Sequence, residues 1–271
     1  MSSQQRTSPK PGPIRSADLA GAPRMIAGRL RRAMRRLGWA YEDRRLKREQ
    51  DRRVLGPAHR RWRGPTDHSR YWSEYDWSEL GEEWNASPEW KQGLIDDVLA
   101  AWIPADAAVL EIGPGAGRWT EHLARRASHL VLADVSEGPL QLCRERFAEQ
   151  DRIAYVLSSG GDLPGVADGS IDAVWSFDVF VHVAPLDQAG YLEEFARVLA
   201  PGGVAVIHHA DGRNRGQLPS RAGWRSPMSR GLFAAMAAQR GLQVLSQFDS
   251  WGTAGRHDLS AYGDVITVCR R

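Results

Sequence analysis

Seven short apolar runs punctuate the chain, at 107–113, 129–135, 153–158, 171–177, 203–209, 243–248 and 264–269. Each has the length of a strand and is bounded by turn-forming or charged residues. Between most of them, apolar residues recur three to four apart, over 118–127, 138–149, 187–199 and 229–240. Strands alternating with helices predict a parallel, doubly wound α/β sheet with helices on both faces. Only the loop "DSWGTAGRHDLSAYGD" separates the last two runs, so the final strand is expected to return antiparallel. Upstream, Ser87-Pro88-Glu89 reads as an N-cap, a first-turn proline and an acidic first turn. Trp90, Leu94, Ile95, Val98, Leu99 and Trp102 then mark one face of a helix.

The pattern changes towards the N-terminus. Residues 1–23 are rich in Ser, Pro, Gly and Gln and are expected to be disordered. Over 24–55, Met25, Ile26, Leu30, Met34 and Leu37 form an apolar stripe with arginines between them. Such a segment suits a membrane surface or a partner, and equally a short helix packed on the main domain. Residues 62–90 then hold Trp62, Trp72, Trp77, Trp84 and Trp90, with Tyr71, Tyr75 and several acids among them. Large rings at that density either pack the segment onto the domain or form a lid over a cationic or flat ligand. The expected organisation is a tail at 1–23, a basic helical arm and Trp-rich lid at 24–86, and one domain at 87–271.

Composition narrows the class. With 271 residues, 42% hydrophobic, the chain has room for one α/β domain and an appendage. No apolar run reaches the ~18 residues that span a bilayer. The opening "MSSQQRTSPKPGP" lacks the charged-then-apolar layout of a signal peptide. Two distant cysteines, Cys143 and Cys269, make neither a disulfide framework nor a zinc pattern, and a cytoplasmic location is expected. Residues 1–63 carry 18 Lys+Arg against 5 Asp+Glu, a net of +13, while 64–271 carry 18 against 28, a net of −10. The basic pI therefore belongs to the arm, and the main domain is acidic.

The first strand-like run ends in "VLEIGPGAGRWT", where Gly113, Gly115 and Gly117 leave the backbone bare. Glycines there permit a tight turn and close approach of a ligand, at the carboxyl end of a strand where such sheets bind. The second run, "HLVLADVS", puts Asp134 where a carboxylate can accept both hydroxyls of a ribose. The spacing G-x-G-x-G, with Arg118 in place of a third dinucleotide-type glycine, disfavours NAD.

These residues resemble class I S-adenosylmethionine-dependent methyltransferases from about residue 88 onward. "VLEIGPGAGRWT" resembles that family's first motif and "LADVS" the end of its second strand. "SGGDLP", "SIDAVWSFDVFVHV" and "RVLAPGGVAVIHH" resemble the turn after strand three, the strand-four motif and the approach to strand five. The resemblance implies a Rossmann-like, seven-stranded, mostly parallel sheet with a final antiparallel strand, and S-adenosylmethionine as cofactor. It implies that Gly113, Gly115 and Gly117 admit the methionine portion, with Glu111 ordering the turn or reaching the amino group through water. Asp134 would hold the ribose, Asp162 the adenine amino group, and Leu163 and Phe177 would pack near the nucleoside. Trp119 is either a core residue or part of the cover over the methyl group.

Methylases of amino groups on bases carry N/D-P-P-Y/F after strand four. This chain has Ser176-Phe177-Asp178-Val179, which argues against nucleic acid as the acceptor despite the basic arm. His182, at the rim of the expected pocket, is the candidate general base for a hydroxyl, with Asp178 beside it. His182 can also simply close a helix. His208 and His209 end strand five, and their side chains must point to opposite faces. With Asp178 and Asp211 they could hold Mg²⁺ and a diol, but Mg²⁺ prefers oxygen ligands, so metal dependence is not expected. The loop 210–227, with Arg213, Arg215, Arg221, Trp224 and Arg225, suits a polyhydroxylated or anionic acceptor. "WSFDVFVHV", "VIHHA" and "YDWSELGEEWNASPEW" together resemble bacterial methyltransferases of saccharides or secondary metabolites. The expected function is O-methylation of a small or saccharide acceptor. N-methylation of a small amine, or nucleic-acid or peripheral membrane binding through the arm, stand as alternatives.

Overall fold

The seven apolar runs pair into one sheet. The computed structural model describes residues 51, 68–212, 225–259, 261 and 263–271. The strands are β1 Ala108–Ile112, β2 His129–Asp134, β3 Ile153–Leu157, β4 Ile171–Ser176, β5 Leu199–Ala210 and β6 Gln243–Phe248. Two short strands, β7 Ser250–Trp251 and β8 His257–Asp258, pair with each other before β9 Asp264–Arg270. The sheet order is β3-β2-β1-β4-β5-β9-β6. β1 through β5 pair in parallel, and β9 runs antiparallel to both β5 and β6. The last strand thus inserts between β5 and β6, rather than merely joining the edge beside its predecessor.

The helices are α1 His68–Ser73, α2 Pro88–Leu94, α3 Thr120–Ala124, α4 Glu137–Arg146, α5 Pro185–Val198 and α6 Arg230–Gln239. The Ser87 hydroxyl accepts the Trp90 N–H at 3.1 Å, so the cap and the proline behind it start α2 as the sequence predicts. Beyond Leu94 the helix widens into a π-turn, Ile95–Leu99, and closes at Ala100–Trp102. The helix expected over 118–127 is shorter: a turn occupies the stretch after the glycines, and α3 begins at Thr120.

Alternation along each strand feeds two cores. Val109, Leu130, Trp175 and Val206 face Leu94, Leu99, Leu123 and Leu140. Leu110, Val131, Val174 and Ile207 face Leu192, Phe195, Phe233 and Met236. Both faces are covered, which is why the runs read as continuously apolar. Each fully buried Leu or Phe contributes roughly 1.5–3 kcal/mol, so the sheet is a rigid platform. The strand order reverses between β1 and β4, and a ligand cleft is expected at their carboxyl ends.

The tail at 1–23, the arm at 24–55 apart from Asp51, Trp62, and Arg213, Arg215, Arg221 and Trp224 lie outside the described residues. Among the described residues, no helix is long and apolar enough to cross a membrane.

Candidate active site

A cleft of about 340 Å³ opens where the strand order reverses. Its wall includes Gly113 and Gly115 after β1, Asp134 at the end of β2, and Ser158–Gly160 after β3. Phe177, Asp178 and His182 follow β4, and Trp72, Trp77, Leu80 and Trp84 come from the lid segment. Four lid rings pack on one another: Trp72 lies 6.0 Å from Trp77 and 5.5 Å from Tyr75, and Trp84 lies 5.7 Å from Trp77. The lid is tied down at α1, where the Ser73 and Ser136 hydroxyls lie 2.6 Å apart, and Trp72 stands 6.0 Å from His182.

The glycine turn has a specific neighbour at each position. Gly113 and Gly115 have φ of 69° and 57°, in the left-handed region. A Cβ on Gly113 would meet Val179 at 2.5 Å, and one on Gly115 would meet the Trp77 ring at 2.6 Å. Gly117 is bare for another reason: Phe147 packs against it, and it does not line the cleft. Glu111 is also behind the turn, accepting the Thr120 hydroxyl at 2.6 Å. Burial pushes its carboxyl up to about 8, against the pull of Thr120 and Arg118.

Asp134 lines the cleft, with Oδ1 accepting the Ser136 N–H at 2.9 Å. Burial pushes it up to about 7, opposed by the backbone N–H groups of Ser136, Val135 and Gly115. Asp162 is turned away instead. Its carboxylate accepts the Ser159 N–H at 2.6 Å, the Ser159 hydroxyl at 2.9 Å and the Ser158 hydroxyl at 3.1 Å. Those bonds curl the turn so that Ser158, Ser159 and Gly160, rather than Asp162, reach the cleft. Leu163 is buried in the α5 and α6 core, with its N–H given to Glu194 at 3.0 Å.

Trp119 lines the cleft and is also core, 3% exposed and 5.2 Å from Phe177. Asp178 sits in the left-handed region at φ 62°, where a non-glycine residue needs support. Arg118 supplies it: Nη2 is 2.5 Å from Asp178 Oδ2, with the guanidinium 5.5 Å from the Trp84 ring and 4.8 Å from that of Trp119. Burial raises the Asp178 carboxyl, but Arg118 and His208 outweigh it and hold it well below the usual carboxylate range. A carboxylate held ionised in this way is a poor proton acceptor.

The two histidines of β5 diverge, as alternation requires. His208 stacks on Phe177 at 4.2 Å and contacts Asp178, behind the cleft rather than in it. His209 points to the opposite core, stacked on Phe233 at 4.0 Å, with its nitrogens 2.9 Å from the Ala210 carbonyl and 2.8 Å from the Thr267 hydroxyl. Burial lowers its pKa to about 3, and it is a packed core residue remote from the cleft. Asp211 is engaged by Arg230 at 2.8 Å. Among the described residues, no group of three or more His, Cys, Asp or Glu is placed to hold a metal. His208, His209, Asp178 and Asp211 therefore do not form the diol-holding set considered above.

Tyr191 and Asp187 also line the cleft without having been singled out by sequence, and so does Arg118, which the sequence marked only as a missing glycine. Tyr191 meets the Ser158 hydroxyl at 3.1 Å, and burial raises it to about 12.

Comparison with known proteins bears on this arrangement. Residues 110–207 match the family model described as a methyltransferase domain. Solved structures share the architecture: a Haloferax volcanii methyltransferase in complex with the activator Trm112 at TM-score 0.57 and 21% identity, over 74% of this chain and 94% of that one. The N-methyltransferase NodS of Bradyrhizobium japonicum, bound to S-adenosylhomocysteine, gives TM-score 0.56 and 18% identity over 74% and 95%. Residues 110–207 thus match a methyltransferase domain, on an architecture shared with solved methyltransferases. The chain's curated relatives include a demethylmenaquinone methyltransferase of Clavibacter sepedonicus, 41% identical over 38% of this chain and 41% of that protein. An O-methyltransferase of Mycobacterium tuberculosis is 33% identical over 41% of this chain and 51% of that one. The chain thus spans about half or less of these relatives. Its lid segment, 68–84, lies outside the family match.

Proposed function

We propose that this methyltransferase moves a methyl group from S-adenosylmethionine to a hydroxyl of a small polyhydroxylated acceptor, such as a sugar, oligosaccharide or related metabolite. The observation that carries the reading is one cleft lined by the Gly113–Gly115 backbone and Asp134 together with His182. The cofactor suits this wall. Asp134, Asp178 and Asp187 line it, and Arg118, the one lining arginine among the described residues, is paired with Asp178. A cleft with many aromatic faces favours a cation such as a sulfonium. Bound there, S-adenosylmethionine supplies an electrophilic methyl group.

The chain's own residues would do the rest. Asp134 takes the ribose hydroxyls, and the bare turn leaves room for the methionine portion. Trp72, Trp77 and Trp84 exclude water and offer flat apolar faces to sugar C–H groups. His182 accepts the acceptor's proton as the oxygen attacks, a step that needs its ring neutral and within hydrogen-bond reach of that hydroxyl. Asp178, paired to Arg118, shapes the wall rather than taking the proton.

An amine acceptor is the second reading, favoured by the carboxylates and aromatic rings that line the cleft. The test is incubation of the protein and cofactor with a panel of saccharides, phenols, quinols and amines, read by mass spectrometry. The proposal expects products heavier by one CH2 unit among the hydroxylated acceptors. Methylation confined to amines would replace the first reading with the second.

A further inference from the structure

Behind the cleft, five side chains form a row: Arg118, Asp178, His208, Asp264 and Arg225. Arg118 meets Asp178 at 2.5 Å, and His208 Nδ1 lies 3.2 Å from Asp178 Oδ1. His208 Nε2 lies 3.5 Å from Asp264 Oδ2, and Arg225 Nη1 is 3.1 Å from that same oxygen. His208 and Asp264 are each only 2% exposed. Of its two arginines, Arg118 lines the cleft and Arg225 does not.

His208 Nδ1 has a second neighbour, the Asp178 backbone N–H, which donates to it at 3.1 Å. A donor aimed at Nδ1 requires a lone pair there. In the neutral ring that arrangement puts the proton on Nε2, facing Asp264, while the Asp178 Oδ1 at 3.2 Å stands ready for a proton on Nδ1 in the charged ring. Asp178 is also the residue held at φ 62°, so the bond from its N–H to Nδ1 supports a backbone conformation that otherwise costs energy.

We propose that His208 and Asp264 are positioning residues: Asp264 fixes the His208 tautomer, and His208 Nδ1 then holds Asp178 and, through it, Arg118 in place at the cleft wall. The proposal rests on the reading of this cleft as the cofactor site. It recasts His208 as a residue that acts through Asp178 without touching a ligand. Among the described residues, the charged groups facing the ring are Asp178 and Asp264, each paired to an arginine of the row, with His209 the neighbour on its own strand. Burial disfavours a second proton on His208, but Asp178 and Asp264 outweigh it and raise its pKa. In acid, that proton would go to Nδ1 and pair with Asp178 Oδ1, and the Asp178 N–H would lose its acceptor.

The test combines nitrogen-detected NMR of 15N-histidine-labelled protein with calorimetric binding of S-adenosylhomocysteine. In the full chain at mildly basic pH, the His208 signals, identified by their loss in His208→Asn, should show Nε2–H and a bare Nδ1. Asp264→Asn should shift the ring towards the Nδ1–H form and weaken binding at least about threefold. His208→Asn, which keeps an acceptor near the Nδ1 position, should hold affinity within about twofold, whereas His208→Leu should lose about tenfold. An Nδ1–H ring in the wild type, or an unchanged tautomer in Asp264→Asn, overturns the proposal. So does equal loss in His208→Asn and His208→Leu, which would mean packing alone. If His208→Leu does not fold, the tautomer in Asp264→Asn decides. A wild type that binds no S-adenosylhomocysteine removes the cofactor reading, while the tautomer measurement still judges the histidine.

Discussion

Arg118 and Asp178 form an ion pair across the carboxyl ends of β1 and β4, 2.5 Å from Nη2 to Oδ2, with Arg118 only 4% exposed. The guanidinium lies near both Trp84 of the lid and Trp119, and also reaches the Asn85 side chain at 3.3 Å. One residue therefore joins the lid to the strand-four end of the cleft.

Removing it should be costly. Arg118→Met leaves Asp178 without its partner in a partly dry wall, so the domain should lose about 3–5 kcal/mol. Urea denaturation followed by tryptophan fluorescence measures this. A loss under about 1 kcal/mol would mean the pair is solvated and contributes little.

Gly115→Ala combines a backbone penalty with a clash. The left-handed conformation costs a non-glycine residue about 1–2 kcal/mol, and the new methyl would meet the Trp77 ring at 2.6 Å. Stability should fall by at least that amount, and Trp77 should move, shifting the emission maximum. An unchanged spectrum would show that the ring does not rest on the turn.

Acidity sets a third expectation. In the free protein, burial pushes Asp134 to about 7 and Glu111 to about 8, both above ordinary carboxylate values. Raised carboxyls favour the folded state at low pH: their contribution is complete below about pH 4 and is lost as pH rises through about 7–8. Cofactor binding has the opposite sign, because ribose hydroxyls donate best to an ionised Asp134. S-adenosylhomocysteine affinity should climb from about pH 6 to about pH 8 and then level off. Flat affinity over that window would remove Asp134 from the binding equilibrium.

For His182, turnover and cofactor binding should separate. His182→Ala should lower kcat by about 10²–10⁴-fold while the affinity for S-adenosylhomocysteine stays near that of the wild type. Unchanged kcat at saturating acceptor would assign the ring to packing beside Trp72.

The sheet was legible because buried parallel strands write long apolar runs, and Ser87-Pro88 wrote the start of α2. The insertion of β9 between β5 and β6 was not, since adjacency in a sheet is a tertiary choice that no local pattern records. Within the site, Asp134, Gly113 and Gly115 stood where motif and strand end coincide. His209 was separable from His208 only by strand parity, once the register of β5 against β9 was known. The bonds of Asp162 to Ser158 and Ser159, four and three residues upstream, were not legible, because no motif records which way a turn's carboxylate points. Arg118 was noticed only as a missing glycine; its partner is 60 residues away, and nothing local announces such a pair.

The central claim is that a nucleoside cofactor lies in the cleft with its ribose on Asp134. Calorimetric titration of S-adenosylhomocysteine into the wild type and Asp134→Ala tests it most directly. The account predicts saturable one-to-one binding in the wild type and an affinity at least about tenfold weaker in the variant, roughly the 1–3 kcal/mol of a lost charged hydrogen-bond acceptor. Equal affinities in two folded proteins would contradict it.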